Sequence, residues 1–549
     1  MRVFNSVNYQ CLPLLVMIKK KLYQLKPYQF FLLIGFLNTI FFALLAIFLP
    51  ISFEDNDDVL MLLFASGRYT GSPEAHLVFI NYLYGLLVSS LYSITTHVEW
   101  YTLLFSVFHI LSVTIISKAI IDKNISLPYK LLFLLLLYAI EVRLILYFQF
   151  TTTAALMALG GCVLLLRETR LAKKMGVLLL FTASLIRFEA AVLVVLVMSP
   201  VFISFQIKNK KLPTLIYILV SILLSSGALM LDHAVYKQDS EWMVYKEYNR
   251  LRGNINDNPN RKTILNDLPA SISLIDYNLL LDFMPDAGKV DLNALRQINA
   301  KINNVSLMNK AENIRPAFVA YYRILGFTVL FVLLAVCFKT DKQNRLIVLS
   351  ALFIFLLGML YVSLDSRFKY RVFLSGLLPL IFVVYNYLSG VLITKYIDKL
   401  ILFVGVLYLL LFSVKNYQLQ QERSFFSQTT FVEQKALIDS YLQDKNNSIV
   451  PYGADFNLDC YPPFKVSLLL PESQIFLGGW ATLIPYNSIN FYTYKDIVNQ
   501  HAIFFDKGHY KEKLSVIMSS LYKNYKIKSY PKIVAQSENY IIVKIETCH

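Results

Sequence analysis

Glu54, Asp55, Asp57 and Asp58 crowd into the stretch "ISFEDNDD", directly behind a run of more than twenty apolar residues. Clustered carboxylates raise one another's pKa, and one held near a lipid surface is suited to take a proton from a hydroxyl or an amine. Asp57 and Asp58 are therefore the candidate catalytic bases, and Asp55 an auxiliary group toward an acceptor. Together the three also offer hard oxygen ligands of the kind that suit magnesium or manganese. The same pattern is that of a solvated acidic turn, since carboxylates cost little at a membrane boundary.

Cations that can answer a phosphate lie elsewhere in the chain. "DSRFKYR" (365–371) carries Arg367, Lys369 and Arg371, and an extended backbone would put all three on one side. The alternative is a simple anchor, because Arg and Lys often snorkel at helix ends. Two further pairs, Glu141/Arg143 and Arg187/Glu189, fall near apolar runs, where ionisable groups are expensive and are usually paired or functional. Residues two apart on a helix do not face one another. Pairing across helices, Glu141 with Arg187 for instance, is thus one expectation, and Arg187 on a bound phosphate the other. His76 is a candidate acceptor ligand. No Cys/His zinc spacing, phosphate-binding glycine loop or dinucleotide turn is present.

The elements that must position these groups follow from composition. The chain has 549 residues, 56% of them hydrophobic and 16% charged, with a mean hydropathy of +0.53. That is a membrane-protein profile. Apolar runs recur from residue 28 to about 414 and then stop, predicting a cytoplasmic N-terminus (1–27), an all-α polytopic membrane domain (28–414) and a small soluble α/β domain (415–549). The net charge of +16 is not a nucleic-acid signal. Six short segments, 1–27, 118–130, 167–174, 207–211, 338–345 and 389–400, hold the whole excess of Lys and Arg, as the positive-inside bias predicts for cytoplasmic loops.

Even numbers of crossings must separate those segments, and this fixes the rest. The run 76–94 is then an interfacial helix and not a crossing. The run 175–206 is a helical hairpin and not one long helix. The total is about eleven crossings, with loops 51–100 and 232–316 and the C-terminal domain outside the cytoplasm. In that oxidising setting Cys460 and Cys548, the only cysteines of the tail, are expected to pair; two unrelated free thiols are the alternative.

An acidic pair just beyond the first apolar helix, then "ASGRYTGSP", then an interfacial segment begun by His76, resembles the first external loop of the GT-C superfamily, the membrane glycosyltransferases that use polyprenyl-phosphate-linked sugars. Asp57 and Asp58 match the family's acidic pair, and Gly67 its loop glycine. The pair here is Asp-Asp where Asp-Glu is common, and no Pro-Pro follows. The resemblance implies an inverting transfer from a lipid-phosphate sugar to a cell-envelope glycan, lipid or protein, at the outer face of the cytoplasmic (inner) membrane. In it Arg367, Lys369, Arg371 and Arg187 would hold the donor phosphate, with or without a divalent metal. Two other classes share the helical profile. A polysaccharide polymerase or ligase of the O-antigen type requires neither the acidic pair nor a soluble tail. A transporter is expected to show internal repeats, and none is evident.

Overall fold

The structure is a computed structural model. It describes residues 25–209, 213–262, 264–286, 288–303, 333, 340–364, 369–388, 395–453, 455–456, 462–464, 475, 478–488 and 493–548. The expected crossing at 317–337 lies outside them, apart from residue 333.

Helix α1 (Pro27–Phe48) begins with Pro at its first turn and leads into a two-residue strand, β1 (Ser52–Phe53). Then come α2 (Asn56–Ala65), α3 (Tyr82–Ile94), α4 (Trp100–Asp122), α5 (Leu127–Leu146), β2 (Tyr147–Phe148), α6 (Phe150–Leu165), α7 (Arg170–Ile186), α8 (Phe188–Asn209) and α9 (Pro213–Gln238). Among the described residues six helices are long and apolar enough to cross a bilayer: Pro27–Phe48, Trp100–Asp122, Phe188–Lys208, Thr214–Gln238, Lys342–Leu364 and Tyr370–Tyr387. The count of eleven is not reached by this measure among the described residues. The reason is local: α5 carries Lys130, Glu141 and Arg143, and α6 and α7 have only 16 and 17 residues.

The segment 175–206 is broken as a hairpin requires. Arg187 is extended, with φ −153° and ψ 101°, and caps α7 before Phe188 opens α8. Helix α3, with 13 residues, is too short to span.

Helix ends gather in two sets. At one end Lys123 Nζ donates to the carbonyls of Tyr385, Asn386 and Leu388 at 2.5, 2.6 and 3.2 Å. Arg167 meets Asp122 at 3.1 Å, and Lys173 meets Thr214 at 3.0 Å. Two of the basic segments, 118–130 and 167–174, thus sit together, and Lys123 supplies a cation to the C-terminus of a helix (370–387) whose last carbonyls lack helical partners. At the other end β1 pairs in parallel with β2, and the Asn81 amide donates to Leu185 O at 2.9 Å.

The second loop supplies α10 (Ser240–Asn256), α11 (Leu274–Leu281) and α12 (Leu292–Asn303). Helices α13 (Lys342–Leu364) and α14 (Tyr370–Tyr387) follow. The expected domain boundary at 415 is not a break. One continuous helix of 47 residues, α15 (Lys395–Tyr441), runs through it. The tail then builds β3 (Ile449–Pro451), β4 (Ala502–Asp506), α16 (Tyr510–Tyr525), β5 (Ser529–Gln536) and β6 (Tyr540–Thr547) in a sheet ordered β3-β4-β6-β5. Strand β3 pairs parallel with β4, and the other pairs are antiparallel.

Alternation along β4 and β6 splits the sheet into two faces. Ile503, Phe505, Ile541 and Val543 pack with Leu514 and Ile517 of α16 and with Leu279 and Met284 of the second loop. Phe504 and Ile542 join the main core. The tail is therefore not a separate unit, since the second loop completes one of its cores. Cys548, just beyond β6, is exposed and carries a free thiol; Cys460 lies outside the described residues. The expected disulfide is not formed at Cys548.

Gly67 shows how tightly the first loop turns. Its φ is +71°, and a Cβ there would lie 2.6 Å from the backbone carbon of Ser72 and 2.7 Å from Pro73 N. Backbone atoms cannot move aside as a flexible side chain can. Gly67→Ala should lower the thermal midpoint of the detergent-purified protein by an amount equivalent to about 1–3 kcal/mol. Gly227→Ala, where nothing lies within 4 Å, should leave the midpoint unchanged or slightly raised.

Candidate functional site

A cavity of about 1870 Å³ opens where the first loop, the second loop, the ends of α7, α8, α13 and α14, and the tail meet. Asp57 stands on its wall, placed there by the start of α2. Asp55 is extended and caps that helix, its Oδ1 accepting from the Asp57 amide at 3.2 Å. Successive helical residues point about 100° apart, so Asp57 and Asp58 cannot share a surrounding. Asp58 turns inward and is fully buried. Its Oδ1 accepts from the Tyr101 hydroxyl at 2.8 Å and from the Phe150 amide at 3.1 Å. The expectation that Asp58 faces substrate is therefore corrected, because it ties α2 to the starts of α4 and α6.

Asp55 is committed as well. Its Oδ2 is ion-paired with Arg371 Nη1, which removes it as an acceptor ligand and pre-pairs one proposed phosphate cation. Arg371 is in the first turn of α14 and Lys369 is its N-cap, so this part of "DSRFKYR" is not an extended strand. Both still line the cavity; Arg367 lies outside the described residues. With Asp55 bound to Arg371 and Asp58 facing the core, the three carboxylates do not converge. Among the described residues no group of three His, Cys, Asp or Glu side chains is arranged to hold a metal.

The membrane-edge pairs resolve differently from the expectation. Glu141 meets His109 Nδ1 at 2.8 Å, and His109 Nε2 lies 3.0 Å from Thr153 Oγ1. Arg143 meets Glu54 at 3.7 Å and lies 3.3 Å over the Tyr147 ring. Arg187 pairs with Glu189 at 3.0 Å, and not with Glu141. The extended backbone at Arg187 takes it out of helical geometry, so a neighbour two residues away is within reach. Its guanidinium lines the cavity.

His76 is a joint between loops. Its Nδ1 lies 2.6 Å from Glu74, and its ring stacks on Trp242 of α10 at 4.7 Å. Glu74 is bonded in turn by the Tyr486 hydroxyl from the tail. His76 is not among the residues lining the cavity, which corrects its assignment as an acceptor ligand.

Trp480 also lines the cavity, a residue that composition and spacing do not single out. Its ring meets Phe64 and Phe79 edge-on at 5.8 and 5.0 Å, and its carbonyl accepts from the Tyr245 hydroxyl at 2.7 Å. The indole therefore plugs the tail into the first loop beside Asp57. No local signal in "LGGWATL" announces a partner more than four hundred residues away.

Burial raises the Asp57 carboxyl to about 7. The Asp55 charge adds to the rise, and Arg371, Arg187 and the Trp480 indole N–H oppose it. Burial also holds the Asp58 carboxyl well above the usual range, reinforced by Asp55 and opposed by the Tyr101 hydroxyl. A carboxylate half-open to a cavity and titrating near neutrality suits a general base.

Activity carried by Asp57 as a base should rise with pH through about 7, because only the deprotonated form accepts a proton. Asp57→Asn should abolish that limb and reduce turnover by roughly 10²-fold or more. Asp58→Ala, which orphans the Tyr101 hydroxyl and the Phe150 amide, should instead cost about 1–3 kcal/mol of stability, read as a lowered melting midpoint. Trp480→Phe keeps the ring and removes the N–H that favours the ionised form. It should move the alkaline-rising limb to higher pH; an unmoved limb would leave the indole a packing residue only.

The chain matches no family model, no curated protein and no solved structure.

Proposed function

We propose that the protein is a membrane glycosyltransferase of the GT-C kind, moving a sugar from a polyprenyl-phosphate donor to a cell-envelope glycan, lipid or protein. The observation that supports this reading best is the two-sided character of the cavity. Asp57, Arg187, Lys369 and Arg371 stand at one part of its wall. Val192, Leu193 and Leu196 of α8, with Gly358 and Val362 of α13, form another, on two helices that can each cross a bilayer. Such a surface suits a polar head joined to a long apolar chain. The volume exceeds the roughly 300–1,000 Å³ of an ordinary small-molecule pocket, leaving room for donor and acceptor together.

In this reaction the acceptor hydroxyl gives its proton to Asp57 as its oxygen attacks the anomeric carbon. The bond from that carbon to the phosphate oxygen breaks on the opposite face, with inversion. Polyprenyl phosphate leaves with the electron pair, its charge met by Arg371, Lys369 and Arg187. Asp55 holds Arg371 in place without neutralising every donor of the guanidinium. No step is assigned to a metal.

The positive-inside bias puts the basic end of the bundle in the cytoplasm, so the cavity and tail face outward and about eleven crossings complete the topology. The soluble tail packed over the cavity favours this reading over an O-antigen polymerase, and the absence of an evident internal repeat favours it over a transporter. The deciding assay incubates the purified protein in lipid nanodiscs with radiolabelled polyprenyl-phosphate sugars and measures release of polyprenyl phosphate. Release by the native protein, lost in Asp57→Asn, is expected. No release from any donor, with or without membrane extracts as acceptor, would overturn the assignment.

A further inference from the structure

The cations lining the cavity differ in how their charge is answered. Arg371 has Asp55, Arg187 has Glu189, Lys246 has Asp232 at 2.6 Å, and Lys513 has Asp455 at 2.6 Å. Lys237, Arg250 and Lys369 are exposed, and water can hydrate them. Arg252 belongs to neither group. It is only 6% exposed, and no carboxylate of the described residues lies within ion-pair distance of it. A buried cation without a counter-charge is costly unless something supplies one.

The surroundings of Arg252 hold it in position without neutralising it. Trp242, Tyr245, Asn249 and Arg252 follow one another at helical spacing along the buried stripe of α10, where a purely structural helix would carry an apolar residue. Arg252 Nε and Nη2 donate to Asn249 Oδ1 at 3.3 and 2.6 Å. The guanidinium lies 5.0 Å from the Phe283 ring. These neutral contacts fix the plane of the fork and leave Nη1 without a protein partner among the described residues. The next residue, Gly253, also lines the cavity, and a Cβ there would meet nothing within 4 Å. An open volume therefore adjoins an oriented, unneutralised guanidinium, the geometry that takes an oxyanion.

The support comes wholly from the second loop: Asn249 and Phe283 are both outside any membrane-spanning helix. Arg371 and Lys369, by contrast, sit at the mouth of a helix that can cross the bilayer. The group that meets Arg252 is thus carried on the water side of the substrates. We propose that Arg252 is the centre of an oxyanion site on the water side of the cavity, binding a phosphate or carboxylate carried by the acceptor. The naming of the acceptor rests on the transfer reaction proposed above; the oxyanion site itself does not.

The test uses the full-length protein in detergent at constant ionic strength, with thermal stabilisation as the readout and three probes: inorganic phosphate, glucuronate and dodecyl phosphate. Phosphate or glucuronate should stabilise the native protein beyond an equivalent amount of chloride. Arg252→Gln should weaken that response at least tenfold in midpoint concentration, and Arg252→Lys, which keeps the charge and guards against misfolding, should weaken it less. Arg371→Gln should leave it intact and lose the response to dodecyl phosphate instead. Equal responses in native protein and Arg252→Gln, or no response beyond chloride, would overturn the site. A dodecyl phosphate response that depends on Arg252 would assign the oxyanion to the lipid headgroup and overturn the acceptor. Because none of these readouts requires turnover, they stand apart from success or failure in releasing polyprenyl phosphate.

Discussion

The buried carboxyl of Asp58 is the fastening on which the site depends. Through one oxygen it gathers the Tyr101 hydroxyl and the Phe150 amide, joining α2 to the first turns of α4 and α6. That junction sets the rotation of α2 about its own axis, and the rotation decides where the preceding residue points. Two adjacent aspartates thus acquire unlike work from environment alone. One is enclosed and acts as a structural acceptor, and the other meets the cavity with a carboxyl poised near neutrality. Breaking the fastening would not remove Asp57 but would let its direction drift, and a displacement of about 1 Å is enough to cost a catalytic group most of its effect.

Around this fastening the charges are arranged by pairing. Asp55 spends one oxygen on the helix it caps and the other on Arg371, so a single side chain fixes both the carboxylate wall and the cationic wall of the cavity. Glu54 does likewise for Arg143 at the β1-β2 contact. Such pairs cost little at a half-wet boundary and hold two elements in register. Trp480 closes the arrangement from the tail through an aromatic contact with Phe64 and Phe79.

Much of this was legible in the residues because it is local or periodic. The acidic cluster, the break at Arg187 and the short helix α3 all follow from short-range spacing and hydropathy. What was not legible depends on direction or on distant partners. Spacing marks Asp57 and Asp58 as a pair, but only the tertiary placement of Tyr101 and Phe150 tells them apart. His76 reads as a ligand until Trp242 is found stacked on it. Helical spacing would keep Arg187 and Glu189 apart, and only the extended backbone at Arg187 lets them meet. Nothing local marks Arg252, since the ring that lies beside its guanidinium belongs to Phe283, in another part of the second loop. The boundary drawn at 415 failed for a simpler reason: hydropathy falls there, but helix propensity does not, and α15 continues through it.

The sharing of Leu279 and Met284 with the tail sheet has a bearing on how the chain is made. Those two residues are synthesised well before β3 begins at Ile449, and their partners on β6 come later still. At ribosomal rates of about 5–20 residues per second, the second loop waits roughly 10–50 s with an apolar face uncovered. During that interval α13 and α14, which are long and apolar enough to cross a bilayer, are also made. Completion of this shared core is therefore gated by the strands from Ile449 onward, and a nascent chain stalled before β6 would present a sticky, unfinished surface to whatever chaperones attend it.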